Sequence, residues 1–293
     1  MVGTPDGALP APALWARALA TTPSRKFTAT SAVYHYTGLA RQAALAKLVQ
    51  ANIEFTYRYY LRLTQLLSAG SSAHLRASVD PSGSERLFRA ASRGRGVLLV
   101  SAHLGDFDVV GSWLALTMGL EVVVVSDSVP ERLREQFFQR VREGAGLLLR
   151  RSDDTTLMDV EADLRAGRLV LWMLDRRPAG PAVVGQLLGR TAWLPAAVPI
   201  LARRTQCPVV AAVTITAPHD VRSLHVGNEI HVGDTGASFQ RVLRELAQTV
   251  GAGIRKAPWQ WHVPVDRNQL CFTSGAKQTR DPPRTHLGAL RAA

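Results

Sequence analysis

Apolar residues in this chain fall into short unbroken runs that alternate with stretches of helical spacing. The runs at 97–101, 120–126, 147–150, 169–174, 209–215 and 224–232 have the length of buried strands and end on turn residues. Between and after them, 107–118, 131–143, 155–165, 196–205 and 238–255 carry the periodicity of helices. Strands alternating with helices build βαβ units, so the pattern predicts an α/β fold with a mostly parallel central sheet flanked by helices. Upstream, residues 37–67 place Leu45, Leu48, Val49, Ile53, Phe55, Leu61, Leu63 and Leu66 at helical spacing, with Arg41, Lys47, Arg58 and Arg62 between them. This is an N-terminal helical segment of one or two helices. A face of this kind packs on a core or lies on an anionic membrane. Pro81 and Gly83 mark a turn before a short helix at 85–91.

Organisation follows from punctuation. Pro5, Pro10, Pro12 and Pro23 break up residues 1–30, which read as a flexible N-terminal segment. No linker divides residues 31–265, which read as a single domain. Residues 266–293, with Pro282, Pro283 and scattered arginines, read as a basic, mobile tail.

The first candidate for chemistry sits where the run Val97-Leu98-Leu99-Val100 stops at Ser101. His103 follows on a predicted strand-to-helix loop, the place where open α/β sheets carry their sites. Asp108 lies five positions beyond it, in the first turn of the next helix. From there its carboxylate is expected to fold back onto one imidazole nitrogen, fixing the tautomer of a general base. That is a histidine–carboxylate pair without a serine, so the nucleophile would be a hydroxyl or amine of the substrate. A helix-capping histidine beside an acid at a helix N-terminus is the plainer reading of the same spacing. A second strand end, Leu174-Asp175-Arg176-Arg177, offers an acid and two guanidinium forks suited to phosphate or carboxylate. A third segment, Gly185 to Pro195, has the glycines of a hairpin or of a loop approaching the site.

Composition narrows the partners. The chain carries a net charge of +12 and 46% hydrophobic residues, enough for a core and basic enough to favour anionic lipid, nucleic acid or phosphorylated molecules. Nucleic acid is set aside because no clustered aromatic and basic motif accompanies the charge. Two cysteines, Cys207 and Cys271, form no disulfide framework. No histidine pair has i, i+4 metal spacing, no complete dinucleotide fingerprint follows a strand, and no G-x-S-x-G elbow is present. The expectation is therefore no metal and no cofactor. With no secretory signal and no long apolar segment in this sequence, the expected location is cytoplasmic, with at most peripheral contact at the inner face of the plasma membrane.

Taken in order, these segments resemble one family. Ala102-His103-Leu104-Gly105-Asp106-Phe107-Asp108 is similar to the H-x4-D/E hallmark of the lysophospholipid acyltransferase superfamily, often written G-H-x-G-N-W-E. Asp175-Arg176 matches its strand-end acid, and Leu201-Ala202-Arg203-Arg204-Thr205-Gln206-Cys207-Pro208-Val209-Val210 matches its L-A-R-R-T-G-x-P-V-V helix end. Pro258-Trp259-Gln260-Trp261-His262 echoes a P-x-Q-W-x-W-x-H segment. The likeness runs from about Ala40 to His262 and points to the branch of bacterial lipid A biosynthesis and phosphatidylinositol mannoside acyltransferases. It implies a glycerolipid acyltransferase-like fold and His103 and Asp108 as the catalytic residues. It further implies Asp106, Asp175, Arg176, Arg177 and Arg203 as substrate-binding residues, and acyl-CoA or an acyl carrier protein as co-substrate. The implied reaction moves an acyl group from the thioester to a hydroxyl, or an amine, of a lipid, glycolipid or specialised metabolite. Departures from the pattern are Asp106 in place of Asn, Phe107 in place of Trp, Ala197-Val198 in place of Gly-Pro, and the lack of an N-terminal apolar anchor. They leave room for an alternative in which the fold serves as a partner subunit in a natural-product biosynthetic complex.

Overall fold

The computed structural model describes residues 23–69, 72–126, 132–151, 155–233, 236–264 and 266–273. It opens with two helices, α1 (Pro23–Thr37) and α2 (Gln42–Ala69), followed by α3 (Ser72–Ser78). Then come β1 (Val79–Asp80), α4 (Glu85–Ala91), β2 (Val97–Ser101), α5 (Phe107–Leu116) and β3 (Val122–Ser126). The middle continues with α6 (Arg132–Gly144), β4 (Leu148–Arg151), α7 (Leu157–Arg165) and β5 (Leu169–Met173). A hairpin of β6 (Ala182–Leu187) and β7 (Arg190–Pro195) leads into α8 (Ala197–Thr205), β8 (Val209–Thr216), β9 (Arg222–Ile230) and α9 (Gly236–Lys256).

Seven strands form one sheet in the order β1–β9–β8–β2–β5–β3–β4. The β1–β9, β8–β2, β2–β5, β5–β3 and β3–β4 pairs are parallel; β8 and β9 are antiparallel. A turn as short as the one joining β8 to β9 permits only antiparallel pairing, whereas the helical crossovers elsewhere permit parallel pairing. All five residues of β2 are buried, as expected of a central strand covered on both faces. Alternate side chains divide between two cores. Leu98, Val100, Val170, Val209 and Ala211 pack under α7, α8 and α9 through Leu164, Leu201 and Leu246. Val97, Leu99, Val122, Leu171 and Val210 pack under α4 and α5 through Leu87, Val109, Val110 and Trp113. A third cluster, Tyr59, Tyr60, Leu63, Phe107, Phe137 and Val141, joins α2 and α6 to the start of α5.

The architecture is the expected one, with a mostly parallel sheet and an N-terminal helical segment. Two boundaries differ. Residues 23–30, expected in a flexible segment, are the first turns of α1, because Pro23 stands at a helix start, where its missing N–H costs nothing. Residues 1–22 lie outside the described residues. Residues 266–273, expected in a mobile tail, pack on the domain through bridges of Leu270 to Arg176 and of Phe272 to Ala192; residues 274–293 lie outside the described residues. So does Glu131, the expected start of α6. No helix among the described residues is long and apolar enough to cross a membrane.

Candidate active site

β2 and β5 are parallel neighbours with Ser101 opposite Met173. From each strand end the chain runs two residues further, to His103 and to Asp175. Strands lie about 4.8 Å apart, so this register sets the two side chains against each other at the carboxyl edge of the sheet. The ring Nδ1 of His103 is 2.8 Å from Asp175 Oδ1, and the backbone N–H of His103 donates to the same oxygen at 3.2 Å. Asp175 Oδ2 accepts from Arg176 Nη1 and from the indole N–H of Trp261, both at 2.8 Å. All four contacts bring donors to the carboxylate.

Electrostatics assigns the proton. Asp175 is fully buried, which opposes ionisation. The adjacent Arg176 guanidinium, His103 and the hydrogen bonds outweigh this burial and hold its acidity far below the usual carboxylate range. An ionised carboxylate only accepts, so the network puts the imidazole proton on Nδ1 and leaves Nε2 with its lone pair. Burial, and then the charge of Arg176, lower the His103 pKa; Asp175 pulls the other way. The ring is therefore neutral at pH 7, and 23% of its side-chain surface still meets solvent. A neutral imidazole held on one nitrogen, with the other carrying a lone pair, has the features a general base needs.

Asp108 does not contact the His103 ring. Its carboxylate accepts from the Tyr59 hydroxyl and from Arg142 Nε at 2.8 Å. Asp108 lies in the first turn of α5, and the helix turns its side chain toward α2 and α6 rather than back over the loop. The short H-x4-D spacing hid the true partner, because strand register and not sequence proximity decides which carboxylate meets the ring. Asp108 instead ties three elements together beneath the site. Burial, with the neighbouring Asp108 charge, pushes the Tyr59 hydroxyl well above its ordinary pKa, so it stays a donor.

The remaining expected site residues divide. Asp106 is fully buried, pinned by Arg62 Nη2 at 2.8 Å and Arg222 Nε at 2.9 Å. Two arginines offset its charge locally. Arg176 is at the site, but two of its nitrogens serve Asp175 and the His262 carbonyl, the latter at 2.6 Å. Arg177 is exposed on the adjoining loop, and its backbone N–H donates to the Gln269 carbonyl. Arg203 does not join the site. It lies in the last turn of α8, just before β8 begins opposite Leu98. That is the opposite edge of the sheet from His103, and its guanidinium lies over the Phe239 ring.

Three residues escaped sequence reasoning. Tyr59, Trp261 and His262 surround the dyad from α2 and from the turn after α9. The His262 ring lies 4.2 Å from Tyr59 and 5.7 Å from Phe107, centroid to centroid, and Phe107 meets the His103 ring edge-on at 5.2 Å. The aromatic run Pro258 to His262 was the only signal for Trp261 and His262, and nothing singled out Tyr59. Gly105 holds the loop against β8: its φ is +63°, and a Cβ there would lie 2.5 Å from the Thr214 carbonyl oxygen.

The family model for bacterial lipid A biosynthesis acyltransferases matches residues 37–266. A phosphatidylinositol mannoside acyltransferase of Mycolicibacterium smegmatis is 26% identical over 221 residues, covering 74% of this chain and 70% of that protein. The matched region holds both strand ends, the hairpin and the aromatic turn over the dyad, and on that evidence the chain belongs to the bacterial lipid A biosynthesis acyltransferase family and is an acyltransferase.

Proposed function

We propose that the protein transfers an acyl group from a thioester, carried by CoA or an acyl carrier protein, to a hydroxyl of a sugar-bearing lipid. The observation that supports this most is the pairing of His103 Nδ1 with the buried, ionised Asp175 at 2.8 Å. Nε2 takes the proton of the acceptor hydroxyl as its oxygen attacks the thioester carbonyl. The new C–O bond forms, the C–S bond breaks, and the imidazolium returns its proton to the departing thiolate. Asp175 stabilises the imidazolium in between. Base catalysis of this kind contributes roughly 10²–10⁴ in rate. The acceptor class follows from the names of the relatives and from the net charge of +12, which draws the protein to anionic lipid surfaces as a peripheral visitor.

Reading the chain as a non-catalytic partner subunit draws on Asp106 beside His103 and on Ala197-Val198 at the start of α8. With Asp106 buried between Arg62 and Arg222, that residue gives the alternative no support.

The test is product identification. Purified protein is incubated with palmitoyl-CoA or a palmitoyl carrier protein, and with vesicles containing phosphatidylinositol mannoside or a lipid-free sugar. Mass spectrometry should find one added acyl chain on the glycolipid with stoichiometric thiol release. Acyl transfer to the lipid-free sugar alone would overturn the lipid acceptor, and no transfer from either donor would overturn the reading.

A further inference from the structure

The turn after α9 is built onto the loop that carries His103. Leu104 and Trp261 form an antiparallel bridge. The His262 N–H donates to the His103 carbonyl at 2.8 Å, and the Gly105 N–H donates to the Gln260 carbonyl at 3.1 Å. The His262 Nε2 donates to the Gly105 carbonyl at 2.8 Å. Trp261, fully buried, places its indole N–H on the oxygen of Asp175 that His103 does not use. The turn is itself held from outside, by Asn52 donating to the Trp261 carbonyl at 2.7 Å and by Arg176 donating to the His262 carbonyl at 2.6 Å.

We propose that Trp261 and His262 are positioning residues for the base, Trp261 acting through Asp175 and His262 through the backbone of the loop that carries His103. This rests on reading His103 as the base. His262 is not a second base. Burial drives its pKa down to about 3, so it remains neutral at working pH. Its Nε2–H is committed to the Gly105 carbonyl. Its task is to fix the backbone on either side of Leu104, and with it the direction of the His103 ring. Trp261 supplies one of two donors on Asp175 Oδ2. It holds the carboxylate in the rotamer that faces His103 and draws part of its charge away from the imidazole.

Two readouts test this. Trp261→Phe removes the donor, and 3-benzothienylalanine at position 261 removes it while keeping the bicyclic ring, should the phenylalanine variant fail to fold. The ¹⁵N titration of the His103 ring, assigned by its loss in His103→Ala, should move to higher pH by about half a unit, because the carboxylate turns more of its charge to the imidazolium. This needs no substrate. For His262, the Gln variant keeps an N–H donor at similar reach and the Leu variant has none. With palmitoyl-CoA and phosphatidylinositol mannoside vesicles, His262→Leu should lose about tenfold or more in kcat with little change in KM. His262→Gln should recover most of that loss. An unmoved His103 titration in both Trp261 variants overturns Trp261's role, and equal losses in Gln and Leu overturn His262's role. Retained turnover in His103→Ala would instead remove the base reading and leave the titration result standing.

Discussion

Asp175→Asn separates the two carboxylates that sequence and structure put forward. In the native site both oxygens of Asp175 only accept, from His103 on one side and from Arg176 and Trp261 on the other. An amide makes one of those oxygens a donor. Turned toward His103, the NH₂ requires Nδ1 to accept, which moves the ring proton to Nε2 and blocks the nitrogen that must take the substrate proton. Turned toward Arg176 and Trp261, it meets two donors. The corresponding change behind a catalytic histidine in serine proteases lowers kcat about 10⁴-fold. That is about 5.5 kcal/mol of transition-state stabilisation, at 1.36 kcal/mol for each factor of ten. Asp108→Asn leaves the dyad untouched but strands Arg142, whose side chain is 12% exposed. Breaking a buried pair this way costs roughly 3–5 kcal/mol of stability. The assay is the initial rate of thiol release from an acyl-CoA, at a temperature where thermal melts show each variant folded. Asp175→Asn should lose about 10⁴ in kcat, and folded Asp108→Asn should stay within about tenfold of wild type. A reversed order, with Asp175→Asn nearly active and Asp108→Asn dead, would refute the assignment.

The other predictions concern pH and the frame around the loop. His103 is lowered below 6.5 and works unprotonated, so kcat/KM should be flat near neutrality and fall only below pH 6.5; an acid limb centred above 7 would contradict this. His262 has a pKa of about 3 in the folded state against about 6.5 unfolded. The unfolded chain therefore takes up a proton first, and stability is lost as pH falls below 6.5, by roughly 1.4 kcal/mol at pH 5.5 from this group alone. Urea midpoints measured at pH 7.0 and 5.5 should show the drop, and equal midpoints would refute it. Asp106→Asn removes the shared partner of Arg62 and Arg222, and should lower stability by about 3 kcal/mol while leaving KM for both substrates unchanged; a raised KM would restore Asp106 to the substrate surface. Gly105→Ala forces a Cβ to 2.5 Å from the Thr214 carbonyl at a φ of +63°. It should cost more than 1 kcal/mol in a chemical melt and lower kcat, since the loop can only relax by moving His103.

Much of the fold was legible because its strands are buried on both faces. β2 appears as an unbroken apolar run whose bounds match the structure, and the other long strands of the seven-stranded sheet lie within about two residues of expectation. β1, two residues long, carries too little periodicity to be seen, and α1 was hidden by Pro23, read as a break when it is a start. The site was legible as a place and not as a set of contacts. His103 and Asp175 both stood at strand ends, yet which acid faces the ring depends on β2 and β5 being adjacent and in register, a relation between residues 72 positions apart. Asp108 drew attention by proximity, but helix geometry turns it away. Arg203 drew attention through a motif match, yet it sits at the far edge of the sheet. Trp261 and His262 reach the site only because the turn after α9 folds back across it.

The most direct measurement compares wild-type protein with His103→Ala in the transfer of palmitate from palmitoyl-CoA to phosphatidylinositol mannoside, followed as ester product and free thiol together. The account predicts that the alanine variant folds, still binds both substrates, and loses roughly 10²–10⁴ in kcat. Turnover within about threefold of wild type, with the same product, would show that this imidazole takes no proton in the reaction.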